Sequence, residues 1–212
     1  FIIFRNFITG SAVQINDMFG NPKITNRFID SSFLASVYQK LRTRTGNPAN
    51  IMTFSYLKKE GQKILDENAN RVNALVFCDL DNLKYINDNF GHEMGDRYLK
   101  AMADLLTSMT QGEQCIAVRL SGDEFVLFFY GYDNRDVIEQ KVRDGYAGRP
   151  SLRLPDGTDH RINASIGLAY AQRETESMDG LLNRADRAMY RVKHGEKNGI
   201  AIYDKSDEAG PA

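Results

Sequence analysis

The 212-residue chain has no surplus of either charge: 27 Lys and Arg stand against 28 Asp and Glu, a formal net charge of −1. Such a balance gives no general attraction for nucleic acid polymers and leaves room only for a local basic patch that meets phosphates. Cysteine is scarce. Cys78 and Cys115 are the only two, each inside an apolar run, which excludes a disulfide framework and reads as two buried, reduced thiols of a cytoplasmic protein. Long apolar runs are missing as well: the opening Phe1 to Phe4 is far too short to cross a bilayer and carries no signal-peptide pattern. There is no internal repeat and no low-complexity tract. What is present, 42% hydrophobic and 26% charged residues, suffices to bury one substantial core, so one domain with an N-terminal extension is expected. Because the chain opens on Phe1 rather than methionine, it is expected to be a piece of something longer.

Residues 1–30 mix aromatic, Asn, Gly and Pro positions without a sustained period and read as a connector or the tail of a preceding module. A helix is predicted over 31–41, and a Thr45-Gly46-Asn47-Pro48 break leads to a second over 51–67. A strand over 74–79 follows, then a short helical turn over 83–88 and a helix over 94–109 whose Leu99, Met102, Leu105 and Leu106 share one face. Strands over 115–120 and 125–130 form a hairpin, and a helix occupies 134–145. Strands over 151–154 and 161–170 are joined by a Pro155-Asp156-Gly157 turn; a helix over 178–194 and a strand over 200–203 complete the series. Hairpins mixed with helices point to an α+β fold, a mostly antiparallel central sheet flanked by helices.

The chemistry gathers at two places. Asp79-Leu80-Asp81 ends the first strand, where sheets commonly present reactive groups, and Ser121-Gly122-Asp123-Glu124 links the hairpin strands. Gly122 is expected to supply the positive φ of a tight turn. If the hairpin lies beside the first strand, Asp79 and Asp123 converge, and two carboxylates at close range invite a divalent cation. Hard oxygen donors favour magnesium or manganese. Asp-rich stretches are also ordinary solvated turns, and Gly-Asp in a hairpin is ordinary turn chemistry. A calcium loop built on Asp79, Asp81 and Asp88 fails, because Leu83 and Lys84 stand where such a loop wants an oxygen ligand and its glycine.

Several motifs occur in order: Asp79-Leu80-Asp81-Asn82-Leu83-Lys84, Ile86-Asn87-Asp88, Gly91-His92, Gly95-Asp96, Ser121-Gly122-Asp123-Glu124-Phe125, Ser165-Ile166-Gly167, and Asp186-Arg187-Ala188-Met189-Tyr190 leading to Lys193. From about Thr45 to Tyr203 the chain thereby resembles the GGDEF family of diguanylate cyclases. Members of that family join two GTP molecules into cyclic di-GMP and release pyrophosphate, on a palm-like fold similar to that of nucleotidyl cyclases and polymerases. The resemblance implies a connector or the tail of an upstream signalling region over 1–42, the cyclase domain over 43–205 and a flexible tail over 206–212.

The resemblance also implies roles. Asp79 and Asp123 would ligate Mg2+ or Mn2+ with the Leu80 carbonyl, and Glu124 would be the second essential acid. Asn87 and Asp96 match the family's guanine readers; a carboxylate accepts from the ring N1 hydrogen and the exocyclic amine of guanine, a pattern adenine does not offer. Lys193 and Lys197 would meet phosphate, helped by Lys84, Gly122 and the backbone amides of the turn from Asp81 through Asn82 to Leu83. Each half-site holds one nucleotide, so a C2 homodimer is expected for catalysis. His92 reads as structural.

Departures from the family pattern temper this. Ser121 replaces the first glycine of the signature, and the expectation is retained binding, with turnover the quantity at risk. Lys197 stands where arginine is usual, which removes forked hydrogen bonding. Gly112 and Cys115 occupy the places of the Arg-x-x-Asp product-inhibition segment, and Arg42 replaces the aspartate of the opening motif. The leading expectation is an active, magnesium-dependent diguanylate cyclase without that inhibitory site, cytoplasmic or the cytoplasmic part of a membrane-attached protein, with no membrane contact of its own. The alternative is a weak or inactive GTP-binding regulatory module.

Overall fold

A computed structural model of the chain describes residues 54–110, 113–172, 176–204 and 207. The elements are α1 (Phe54–Glu67), β1 (Val72–Leu80), α2 (Leu83–Phe90), α3 (His92–Met109), β2 (Cys115–Ser121), β3 (Glu124–Tyr132), α4 (Arg135–Ala147), β4 (Ser151–Arg153), β5 (Asp159–Arg161), β6 (Ala164–Tyr170), α5 (Met178–His194) and β7 (Gly199–Ile202). The predicted helix over 31–41, the break at 45–48 and residues 51–53 lie outside the described residues, as does the tail over 208–212.

Five strands form one mixed sheet in the order β2-β3-β1-β6-β7, antiparallel except for the parallel pair β6 and β7. The centre of that sheet is the apolar run of β1. Its even residues Ala74, Val76, Cys78 and Leu80 enter one core and Leu75 and Phe77 enter another. A strand covered on both faces reads as continuous hydrophobicity rather than alternation. On the first face lie Ile86 of α2, Tyr98 and Met102 of α3, and Ile138, Val142 and Tyr146 of α4. On the second lie Leu57 and Leu65 of α1 and Met178, Leu181, Ala185 and Met189 of α5. Each fully buried large side chain, such as Phe128 or Leu75 at 0% exposure, contributes about 1.5–3 kcal/mol. The sheet with helices on both faces is the expected α+β class.

Helix α5 has the bounds read from sequence, and the reasons are local. Ser177 caps its start by accepting from Gly180 N at 3.0 Å, Asp179 sits in the first turn, and Arg191, Lys193 and His194 sit in the last. It packs on β6 at Gly167, where a Cβ would lie 2.0 Å from Ala185 O and 2.2 Å from Met189 N. Glycine is required there by close approach.

The expected strand over 161–170 is instead two strands. β5 pairs with β4 in a separate two-stranded sheet, closed by the Pro155-Asp156-Gly157 turn with Gly157 at φ 86°. β6 begins only at Ala164. The run breaks because Ile162 N donates to Pro150 O, Asn163 N to the Tyr98 hydroxyl, and Asn163 O accepts from Asp81 N. Those partners lie off the ladder. Cys78 and Cys115 are buried and unpaired, and burial pushes both thiols well above their ordinary range.

Candidate active site

Both acids of the central pair sit where the sheet ends. Asp79 is opposite Glu124 of β3 on one side and Ser165 of β6 on the other, and Leu80 N donates to Asp123 O at 2.9 Å. The hairpin therefore lies beside β1 and carries Asp123 next to Asp79. Asp79 is 3% exposed, and its Oδ2 accepts from Lys193 Nζ at 2.6 Å. Burial raises the Asp79 carboxyl above its usual range; the Lys193 bond opposes this and the neighbouring Asp123 and Asp81 add to it. Burial works against the Lys193 charge, yet Asp79, with Asp123 and Asp81 behind it, holds the ammonium above its ordinary value. Both directions have one cause: the Lys193 ammonium contacts Asp79 directly and has Asp81, Asp123 and Asp186 at longer range. A cluster of that kind has negative charge left over.

Asp81 has a different task. It is 5% exposed; its Oδ1 accepts from Ser165 Oγ at 3.0 Å and its Oδ2 from Asn198 N at 3.1 Å. Both oxygens are engaged by protein donors, so Asp81 ties β1, β6 and the turn after α5 together. Its backbone N–H is also committed, to Asn163 O at 2.9 Å, and so does not face a ligand. The Asp81 amide, expected from sequence to help meet phosphate, is thus taken by the protein, and the bracing roles of the Asp81 side chain, Ser165, Asn163 and Asn198 carry no sequence signal, since spacing alone does not separate a brace from a ligand. Arg119 was missed too: its Nε donates to Gly122 O at 3.1 Å and its guanidinium lies 5.8 Å from the Phe125 ring centre, bracing the hairpin turn.

The expected positive φ at Gly122 is not found; among the described residues the glycines with positive φ are Gly91, Gly131 and Gly157. The register between β2 and β3 shifts between Arg119 and Ser121, and this irregularity takes up the change of direction that a regular two-residue link would place on Gly122. A Cβ at Gly122 would meet nothing within 4 Å. The space above it is open.

The second half of the site lies on α2 and α3. Asn82 starts α2 in the left-handed conformation at φ 66°, and Leu83 behind it packs against the core. Asn87 lies against Gly95: a Cβ on Gly95 would sit 1.9 Å from Asn87 Oδ1. Asp96, the next residue of α3, is half-buried. Lys84 is highly exposed and pairs with Asp88 at 2.8 Å on its own helix, not with the acid centre. His92 is exposed at the start of α3, so it is no core histidine. Lys193 stands in the last turn of α5, and Lys197, exposed at φ 54°, lies in the turn that follows.

No group of three or more His, Cys, Asp or Glu side chains placed to hold one ion occurs among the described residues. Asp79 and Asp123 still fit a magnesium ion, because magnesium takes one or two carboxylates and completes its shell with water and substrate phosphates. The ammonium on Asp79 marks a cation position.

Comparison with known proteins gives the same picture. The family model described as "Diguanylate cyclase, GGDEF domain" matches residues 24–199. Diguanylate cyclase DgcP of Escherichia coli (strain K12) is 35% identical over 134 residues, which cover 63% of this chain and 39% of that protein. The chain spans 18% and 12% of two further relatives. Among solved structures, the GGDEF domain of TpbB (YfiN) from Pseudomonas aeruginosa superposes with TM-score 0.69 at 23% identity, covering 75% of this chain and 94% of that one. The GGDEF domain of DgcB from Caulobacter crescentus, solved with c-di-GMP, gives TM-score 0.65 at 23% identity, covering 76% and 93%. At that identity the two structures speak to the fold. The family match covers well over half the residues, and the chain belongs to the GGDEF family of diguanylate cyclases, whose chemistry at family level is the synthesis of cyclic di-GMP.

Proposed function

We propose that this domain is an active, magnesium-dependent diguanylate cyclase. The observation that carries the reading is the charge imbalance at the sheet end, where Asp79 holds Lys193 at 2.6 Å and Asp81, Asp123 and Asp186 stand near the same ammonium. Asp79 and Asp123, with the Leu80 carbonyl, would hold Mg2+ or Mn2+, and Glu124 is the further acid of the signature. When bound, the metal supplies charge neutralisation and alignment, which is most of what phosphoryl transfer asks for. In the reaction the 3′-hydroxyl of one GTP attacks the α-phosphorus of the other and pyrophosphate leaves; the reciprocal step closes the ring.

Asn87 and Asp96 orient guanine, and Asn87 is held against Gly95, the residue that precedes Asp96. Lys193 and Lys197 meet the triphosphate, with the amides of Asn82 and Leu83. Lys193 is 39% exposed at its side chain, so it can reach phosphate once a metal takes over its place on Asp79. Two chains face to face supply the two nucleotides. An upstream sensory or signalling region is proposed as the regulator of that pairing, the relatives being much longer than this chain. Feedback through an Arg-x-x-Asp site is absent in this reading. Gly112 lies outside the described residues, and Cys115 is buried in β2 with no charge to offer.

The second reading is a GTP-binding regulatory module, favoured by Lys193 being committed to Asp79 and by lysine rather than arginine at 197. Incubation with GTP and Mg2+ separates the two: cyclic di-GMP supports the first, and GTP binding without product, even with dimerisation forced, supports the second.

A further inference from the structure

Arg149, in the segment between α4 and β4, is assigned to neither nucleotide nor metal, yet two of its contacts lead to Asp81. Arg149 Nη2 donates to Asn198 Oδ1 at 3.0 Å, and Asn198 N donates to Asp81 Oδ2 at 3.1 Å. Arg149 Nε reaches Asn163 Oδ1 at a long 3.5 Å, and Asn163 O accepts from Asp81 N at 2.9 Å. The guanidinium is itself fixed, since Nη1 donates to Tyr146 O at 3.1 Å and its carbon lies 4.3 Å from the centre of the Tyr146 ring. Tyr146 doubles the grip. Its buried hydroxyl accepts from Ala164 N at 2.7 Å and has one proton to share between Asn198 Oδ1 at 2.7 Å and Ala164 O at 2.8 Å.

Asn198 thus has its side-chain oxygen held from two directions and its backbone N–H bound to Asp81. It also stands at φ 50°, directly after Lys197 at φ 54°. Two successive left-handed residues outside glycine are costly and persist only where neighbours over-determine them. Here the neighbours are Tyr146 and Arg149. The held turn carries Lys197 and follows the helix that carries Lys193, while Asp81 opens the turn that carries the Asn82 and Leu83 amides.

We propose that Arg149 and Tyr146 are positioning residues for triphosphate capture: through Asn198 and Asn163 they lock the Lys197–Asn198 turn against the Asp81–Leu83 turn, setting the spacing between the two halves of the phosphate cradle. This rests on the reading of the site as a GTP site. Both are assigned to the spacing of the cradle and not to the reacting groups, so their loss should act on KM rather than on kcat.

The test is steady-state kinetics of cyclic di-GMP formation by the full chain with GTP and Mg2+, at a temperature well below each variant's melting point. Arg149→Ala should raise KM for GTP about tenfold, the scale of one lost charged hydrogen bond, with kcat within about twofold. Asn198→Gly keeps the left-handed backbone and removes the amide, and should do the same. The double variant Arg149→Ala/Asn198→Gly should be no worse than either single, because both cut one chain of contacts. Tyr146→Phe and Arg149→Lys should fall between wild type and Arg149→Ala, and they carry the test if Arg149→Ala does not fold. An unchanged KM in these variants, a fall in kcat alone, or multiplicative effects in the double variant would overturn the positioning role while leaving the cyclase reading intact. A wild-type chain with neither product nor a GTP-induced rise in melting temperature would overturn both.

Discussion

Replacing Gly95 by alanine adds a methyl group 1.9 Å from Asn87 Oδ1, where ordinary contact begins near 3.4 Å. The oxygen must retreat by about 1.5 Å, the difference between those two distances. Because it is the end of a flexible side chain, it can do so by rotation, at about 0.5–1.5 kcal/mol for an off-rotamer angle. Alanine in place of a helical glycine returns about 0.5–1 kcal/mol. The two nearly cancel, so the melting temperature of Gly95→Ala should stay within about 4 °C of wild type. Function should not be spared. A hydrogen bond displaced by that distance is lost, and about 1–2 kcal/mol of guanine recognition goes with it, roughly a 5- to 30-fold rise in KM for GTP. Pyrophosphate release against GTP concentration, with a thermal melt of the free protein, measures both. Unchanged KM would refute Asn87 as a base reader. A large fall in melting temperature with KM unaltered would make the α2–α3 contact purely structural.

Gly167→Ala is the opposite case, because the atoms a Cβ would meet are backbone atoms of α5, 2.0 Å away at Ala185 O. The helix must move by more than an ångström, which costs about 3 kcal/mol or more by thermal or urea unfolding; a normal melt would show the packing to be wrongly described. Asp96→Ser should relax base choice toward adenine in competition assays between GTP and ATP, and strict GTP dependence in the variant would count against Asp96. Glu113 gives a pH dependence remote from the site. Burial pushes its carboxyl up, but hydrogen bonds from Lys141 and Tyr132 win and hold it below 4.5. Its contribution to stability is therefore present above pH 4.5 and lost as pH falls through the folded value. Glu113→Gln should be less stable than wild type at pH 7, by no more than about 1 kcal/mol for a partly exposed pair, and should match it in strong acid. A constant difference at all pH values would refute the linkage.

The elements with strong periodicity were legible from residues alone. Met178–His194 has a serine cap, an apolar face and basic residues before Gly195, and each signal is local. The run from Asp159 to Tyr170 was not legible, because its break at Ile162 and Asn163 is made by Pro150, Tyr98 and Asp81, which lie far away in sequence. The convergence of Asp79 and Asp123 could be anticipated from a hairpin with an acid at its turn. What the sequence hid was the division of labour among the acids. Asp79 and Asp81 are both buried and differ only in partners: one ammonium for Asp79, a serine hydroxyl and a main-chain amide for Asp81. Gly122 shows the reverse error, a turn residue whose expected conformation is not needed once the ladder beside it slips.

The most direct test of the charge-imbalance account is a Mn2+ titration followed by electron paramagnetic resonance, with a non-hydrolysable GTP analogue present, on wild type and Asp123→Asn. The account predicts saturable binding by wild type and a loss of about tenfold or more in affinity when one anionic oxygen donor is replaced by an amide. Equal manganese affinity in the two proteins would contradict it.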